Sequence, residues 1–113
     1  MTAPRLASSV LVSALARRAQ NEGGFAAVLA KGDPTAGAIA VILLERGRKA
    51  CLLERLLQPD GSYAWRESGQ EVENEEQFKK FLERRRKFDP DIWILELDIP
   101  SAERFAAEMN AAG

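Results

Sequence analysis

The chain has 113 residues, of which 46% are hydrophobic and 29% are charged, a composition typical of a folded globular protein. Its 16 basic and 17 acidic residues give a net charge of -1, which argues against binding nucleic acid through overall positive charge. The absence of histidine and the single cysteine exclude histidine-based catalysis, an internal disulfide and a cysteine-rich metal site. The length predicts one globular domain over residues 1–113.

The first twenty residues combine a short apolar run with arginines. Residues 6–16 have the apolar character of an export signal, but Arg17 and Arg18 follow the run, whereas a signal carries its positive charge in front. The run is also too short to cross a bilayer. We therefore expect a cytoplasmic protein without membrane contact, in which residues 8–22 form a helix capped by Ser8 or Ser9.

Four short strands are predicted next, at residues 25–31, 38–44, 49–57 and 62–67. Turn sequences rich in Gly, Asp and Pro separate them. The second strand is apolar throughout, which is typical of a central strand buried on both faces. Because the connections are short, we expect consecutive strands to pair antiparallel.

A helix, a strand and a short helix complete the chain. Asn74 and Gln77 form a variant of the capping box, so the first of these helices begins there and ends near Arg86. Residues 91–99 alternate strictly between two faces, and residues 102–111 have a helical apolar stripe after Pro100 and Ser101.

The alternation in the last strand predicts Trp93, Leu95 and Leu97 as the centre of the core. The order α-β-β-β-β-α-β-α predicts an α+β fold, with an antiparallel sheet of about five strands and helices on one face.

Three stretches resemble a known family in their order and spacing: SALARRA at 13–19, GGFAAVLAKGDPTAGA at 23–38 and ERRRKFDPDIWILELD at 83–98. The family consists of small bacterial proteins known only as a domain of unknown function, and the resemblance extends over residues 8–105. It implies a compact cytoplasmic protein of one domain. It implies no activity, cofactor or catalytic residue.

The turn from Gly32 to Gly37 is one candidate site. Asp33, Thr35 and the two glycines would present a hydroxyl and backbone N–H groups to an anion. The alternative is a plain loop in which Asp33 starts a turn and Gly37 adopts a positive φ.

Two arginines fall on apolar helical stripes. Arg85 lies in phase with Phe81 and Leu82, so we expect it to pair with Asp89, Asp91 or Asp98. Arg18 has a similar position on the first helix. The alternatives are arginines that extend to solvent, a structural ion-pair cluster, or a cluster that lines a ligand site.

The remaining charged and nucleophilic residues favour structural interpretations. The basic residues 79–87 follow an acidic helix start, which suits the helix dipole, so we expect no binding to duplex nucleic acid. Asp89, Asp91, Glu96 and Asp98 lie among arginines and isoleucines, and we predict no metal site. Cys51 lies within an apolar strand and is expected to be a buried thiol.

Two functional hypotheses remain. The first is a non-catalytic interaction or accessory protein that has no cofactor and binds a protein partner or a second copy of itself. The second is a small anion-binding or enzymatic domain. Its candidate ligand-binding residues are Arg18, Asp33, Thr35, Arg85, Asp89 and Asp91, with no catalytic residue assigned.

Overall fold

The computed structural model describes residues 6–68 and 74–111, which form three helices and five strands. The elements are α1 Ser8–Asn21, β1 Phe25–Ala30, β2 Ile39–Glu45, β3 Arg48–Leu57, β4 Tyr63–Ser68, α2 Glu75–Phe88, β5 Trp93–Asp98 and α3 Ala102–Ala111. The predicted α+β class and element order are confirmed. The polar segment 69–73, between β4 and α2, lies outside the described residues.

The five strands form one mixed sheet in the order β1-β5-β2-β3-β4. The β2–β3, β3–β4 and β1–β5 pairs are antiparallel, whereas β2 and β5 are parallel. The expectation of a wholly antiparallel sheet was wrong at this pair. The connection over residues 31–38 separates β1 from β2, and β5 lies between them.

One face of the sheet carries the larger core, covered by α1 and α3. Trp93, Leu95 and Leu97 are 5%, 1% and 0% exposed and belong to this cluster, which confirms the predicted centre. Phe105 of α3 and Leu15 of α1 pack against it. The alternation of β5 therefore places its most apolar side under two helices.

The opposite face carries a smaller core beneath α2. Ile42 and Ile94 are buried there, and Phe78, Phe81 and Leu82 of α2 pack on them. The expectation of helices on one face was therefore wrong. Because β2 and β5 have apolar side chains on both faces, each face needs a helical cover.

The start of α1 is fixed by the loop between β1 and β2. Ala7, and not Ser8 or Ser9, is the N-cap, and its side chain makes no capping bond. Instead, the Ser8 and Ser9 amides donate to the carbonyls of Thr35 and Pro34 at 3.1 and 2.9 Å. The buried Ser8 hydroxyl donates to the Gly37 carbonyl at 2.7 Å, so Ser8 joins α1 to the loop.

The other helices are capped largely as expected. The Asn74 side chain accepts a hydrogen bond from the Gln77 amide at 2.8 Å, which confirms the capping interaction at α2. Glu45 accepts from the Ala102 amide at 2.6 Å and thereby caps α3 from the end of β2. None of the described helices is both long and apolar enough to cross a membrane.

Candidate functional site

A groove of about 830 Å³ lies between α2 and the adjacent face of the sheet. We call it the α2 groove. It is lined by Leu29, Ile42, Leu44, Gly47, Arg48, Lys49, Asn74, Glu75, Phe78, Lys79, Leu82 and Glu96. Its size is within the range of small-molecule binding pockets.

The floor of the α2 groove is apolar. Ile42 and Leu44 are two residues apart on β2 and therefore point to the same face. Phe78 and Leu82 are one helical turn apart on α2. Leu29 lies at the irregularity in the β1–β5 pairing and is 46% exposed, so the apolar lining continues to the sheet edge.

The rim of the α2 groove is charged. It contains the cations Arg48, Lys49 and Lys79 and the carboxylates Glu75 and Glu96. The Lys49 ammonium lies 4.1 Å from the centre of the Phe78 ring, a cation–π contact. Within the described residues, none of these three cations has an ion-pair partner.

A tight turn positions one side of this rim. Arg46 and Gly47 both have positive φ, at 51° and 82°, and connect β2 to β3. The Gly47 amide donates to the Asp98 carboxylate at 2.9 Å, which joins the turn to β5. Arg48 and Lys49 follow directly at the start of β3, so their backbone is held by the sheet.

Arg18 belongs to an ion-pair cluster between α1 and α3. Its guanidinium pairs with Glu108 and with Glu22, the latter at 3.7 Å, and lies 4.4 Å from the Phe105 ring centre. Arg104 pairs with Glu22 at 3.2 Å and with Glu108 at 3.8 Å. Two arginines and two glutamates neutralise one another, so the cluster connects the two helices.

Arg85 lies on the opposite face of the sheet, on the inner side of α2. It pairs with a carboxylate as expected, but the partner is Glu54 of β3 at 2.5 Å and not Asp89, Asp91 or Asp98. The helical phase directs Arg85 toward the sheet. The three aspartates lie beyond the C-terminal end of α2 and at the end of β5.

The turn at Gly32–Gly37 and the loop before β5 come together. The Asp33 amide donates to the Asp91 carbonyl at 3.0 Å, and the Trp93 indole donates to the Asp33 carbonyl at 2.7 Å. The Asp33 carboxylate already accepts from the Thr35 and Ala36 amides at 3.2 and 2.8 Å. The N–H groups proposed to hold an anion therefore have a partner within the turn.

Gly37 is required for a different reason from the one expected. Its φ is not positive; those of Gly23, Gly47 and Gly61 are. A Cβ at Gly37 would lie 2.3 Å from the Asp91 carbonyl oxygen. Gly37 therefore permits close approach of the two loops.

The six predicted ligand-binding residues thus occupy three separate places. Arg18 is on the α1–α3 face, Arg85 is on the α2 face, and Asp33, Thr35, Asp89 and Asp91 lie in two adjoining loops. The Asp89 carboxylate accepts from the Asp91 amide at 3.1 Å. Within residues 6–68 and 74–111, no three acidic or cysteine side chains are grouped as metal ligands.

Cys51 is half-buried beside the larger core, and less enclosed than expected. Burial raises the pKa of its thiol, and the carboxylates of Glu67 and Glu45 raise that pKa further. The thiolate needed for nucleophilic chemistry is therefore disfavoured.

Sequence reasoning did not identify the α2 groove. The available signal was the apolar stripe of α2, together with the two-sided apolar pattern of β2 and β5, which requires a cover on each face. The rim could not be located in this way, because Arg48 and Lys49 reach α2 only through the pairing of β3 with β2.

The fold and the arrangement of its loops define a small α+β protein with a mixed five-stranded sheet between two helical layers. The chain belongs to the DUF1491 family, described as proteins of unknown function, whose family model matches residues 6–107. This confirms the family resemblance expressed by the three sequence stretches. A search of curated proteins returned no match.

Solved structures similar to this chain share its fold. An NMR structure of a DUF1491 family protein from Caulobacter crescentus CB15 is 32% identical, with a TM-score of 0.77 over 92% of this chain and 94% of that one. A crystal structure of a DUF1491 family protein from the same organism is 34% identical, with a TM-score of 0.76 over 89% and 94%. A solution structure of a protein from A. tumefaciens is 37% identical, with a TM-score of 0.69 over 91% and 93%.

Proposed function

We propose that this protein is a non-catalytic interaction or accessory protein of the cytoplasm, and that the α2 groove is its binding surface. The observation that carries the proposal is the chemistry of the groove. An apolar floor is bordered by three cations that have no ion-pair partner among the described residues and by the carboxylates of Glu75 and Glu96, so cations outnumber anions on the rim.

The occupant that fits this surface has an apolar body and an anionic group. Leu29, Leu44 and Phe78 would contact the apolar part, which contributes binding free energy in proportion to the area buried. Arg48, Lys49 and Lys79 would attract the anionic part. An acidic, apolar segment of a partner protein combines both features.

The positions of the reactive groups support a non-catalytic role. Arg18 and Arg85 are neutralised by glutamates on opposite faces of the sheet. The raised pKa of Cys51 disfavours its thiolate. None of these three residues is therefore arranged as an activated nucleophile, the arrangement typical of covalent catalysis.

The second hypothesis, anion binding at the predicted residues, stays a prediction. Its best remaining location is the pair of loops that holds Asp33, Thr35, Asp89 and Asp91. Carboxylates predominate there and two turn amides are already bonded, so the α2 groove is the better anion site.

The proposal is tested with a fluorescent apolar anion, anilinonaphthalenesulfonate, and its uncharged analogue phenylnaphthylamine. We expect saturable binding of both, because both carry the apolar body. Lys49→Gln should weaken the sulfonate by roughly twofold to fivefold, the effect of one exposed charge pair, and leave the uncharged analogue unchanged.

The matched control is Lys87→Gln, which removes an exposed cation at the far end of α2, outside the groove. It should leave the affinity for both probes unchanged. Equal effects of the two lysine substitutions, or no saturable binding of the sulfonate, would contradict the assignment of the α2 groove.

A further inference from the structure

The two edge strands of the sheet, β4 and β1, differ in how their outer backbone groups are protected. At the β4 edge, the Asn110 side chain of α3 accepts from the Trp65 amide at 2.8 Å and donates to the Trp65 carbonyl at 3.2 Å. Asn110 thereby takes the place of a neighbouring strand. Arg66 and Glu67 add charge, which is a usual protection of an edge strand.

The β1 edge has none of these protections. Its six residues, FAAVLA, include no charge and no proline. Phe25, Val28 and Leu29 are 76%, 50% and 46% exposed. No hydrogen bond from a described residue reaches the side of β1 that faces away from β5. The unpaired N–H and C=O groups of this edge are complementary to an extended strand.

We propose that β1 pairs antiparallel with β1 of a second copy, so that two sheets join across a two-fold axis at Ala27. Ala26 and Val28 lie opposite Leu97 and Leu95 of β5, which places them on the α1 face. Phe25 and Ala27 lie on the other face.

When the antiparallel pair is centred on Ala27, each β1 side chain lies opposite a side chain of the other copy on the same face of the joined sheet. Ala26 of one copy then lies opposite Val28 of the other, a small residue beside a larger one. Phe25 lies opposite Leu29 of the other copy. The three exposed large residues of each β1 strand thus gain an apolar neighbour.

The charge pattern favours a second copy over a foreign strand. An uncharged strand pairs with itself without placing like charges opposite each other. Glu22, which precedes β1, is already paired with Arg18 and Arg104, so the uncharged side chains of β1 itself determine this contact.

This interface shares Leu29 with the α2 groove, so its test uses Ala27, which does not line the groove. Sedimentation velocity is measured from roughly 1 μM to 1 mM protein, a range that covers weak to moderate dissociation constants. We expect a reversible monomer–dimer equilibrium for the native chain. Ala27 is exposed, so a charged side chain is tolerated there in the monomer. Ala27→Lys and Ala27→Glu should each raise the dissociation constant at least roughly tenfold, because like charges then meet at the axis.

Two comparisons complete the experiment. Ala14→Lys, on the exposed outer side of α1, should dimerise as the native chain does. An equimolar mixture of the Ala27→Lys and Ala27→Glu variants should dimerise again, because opposite charges meet at the axis. Circular dichroism verifies that each variant is folded.

The proposal is overturned if the native chain sediments as a 12.5 kDa monomer over the whole range. It is also overturned if Ala27→Lys dimerises like the native chain, or if the mixture of charged variants stays monomeric. In those cases the β1 edge does not pair with itself.

Discussion

The pair formed by Arg85 and Glu54 is a direct connection between α2 and the sheet. The Arg85 side chain is 38% exposed and that of Glu54 is 13% exposed, so solvent screens the pair only in part. No residue of the 14-residue α2 is buried to the level of the core. The Arg85–Glu54 pair therefore adds to the partly buried apolar contacts of α2 in positioning this helix over the sheet.

Replacing Arg85 by methionine keeps the apolar stem and removes the charge. We expect a loss of about 1–2 kcal/mol in the free energy of unfolding, between the values typical of exposed and of buried pairs. Urea titration of Arg85→Met, Glu54→Gln and the double variant measures the coupling free energy. Arg84→Met, on the exposed side of α2, is the control. Equal, small effects of the Arg84 and Arg85 substitutions would show that the pair does not stabilise the fold.

The thiol of Cys51 provides a test of local electrostatics. Because burial, Glu67 and Glu45 all raise its pKa, the thiolate forms at higher pH than in an ordinary cysteine. We therefore expect the iodoacetamide alkylation rate to rise with pH along a curve displaced to higher pH than that of a model thiol. Glu67→Gln should lower the pKa and speed alkylation at about pH 8, where ordinary thiols begin to ionise.

The comparison for this measurement is Glu103→Gln, at an exposed position on α3. It should leave the alkylation profile unchanged. A native profile displaced to lower pH would contradict the environment described for Cys51.

At the scale of elements, α3 stabilises the fold through a single side chain as well as through its apolar stripe. Asn110 holds both backbone groups of Trp65. We expect Asn110→Ala to cost about 1–3 kcal/mol in unfolding free energy, because it leaves a partly buried amide without a partner. Gln20→Ala, at an exposed position of α1, should change stability much less. Equal stability of the two variants by urea titration would show that Asn110 is dispensable.

The sequence predicted element types well, because each type depends on local patterns. The alternation around Trp93 and the capping role of Asn74 are both local, and both are confirmed. The placement of β5 between β1 and β2 depends on pairing between segments far apart in the chain, which no local pattern encodes. The sequence does indicate that a helix must cover the second face of the sheet, however, since Ile42 and Ile94 project away from the larger core.

The candidate site was less predictable, for a related reason. Arg85 was correctly expected to pair with a carboxylate, because its helical phase is a local property. Its partner, Glu54, was missed because Glu54 is brought close only by the position of α2 over β3. The sheet separates Arg18 from Arg85, and no local sequence pattern shows this separation.

For the whole molecule, Trp93 joins the core to the loops at one end of the sheet. Its ring lies in the larger core, and its indole N–H donates to the Asp33 carbonyl at 2.7 Å. We expect Trp93→Ala to cost about 3–5 kcal/mol in unfolding free energy. Trp93→Phe keeps most of the apolar ring and changes the packing less. It should cost about 1 kcal/mol for the lost hydrogen bond, in addition to this smaller packing loss. A loss below about 1 kcal/mol for Trp93→Ala would contradict the assignment of the core.

The central proposal is that the α2 groove binds a partner segment with an apolar body and an anionic group, and methyl NMR during titration with anilinonaphthalenesulfonate tests it most directly. We predict that the largest shift changes occur at the methyl groups of Leu29, Ile42, Leu44 and Leu82, which line the groove. The methyl groups of Val12 and Leu15, under α1 on the opposite face, should change little. Saturable shifts centred on Val12 and Leu15, with the groove methyl groups unchanged, would contradict the claim.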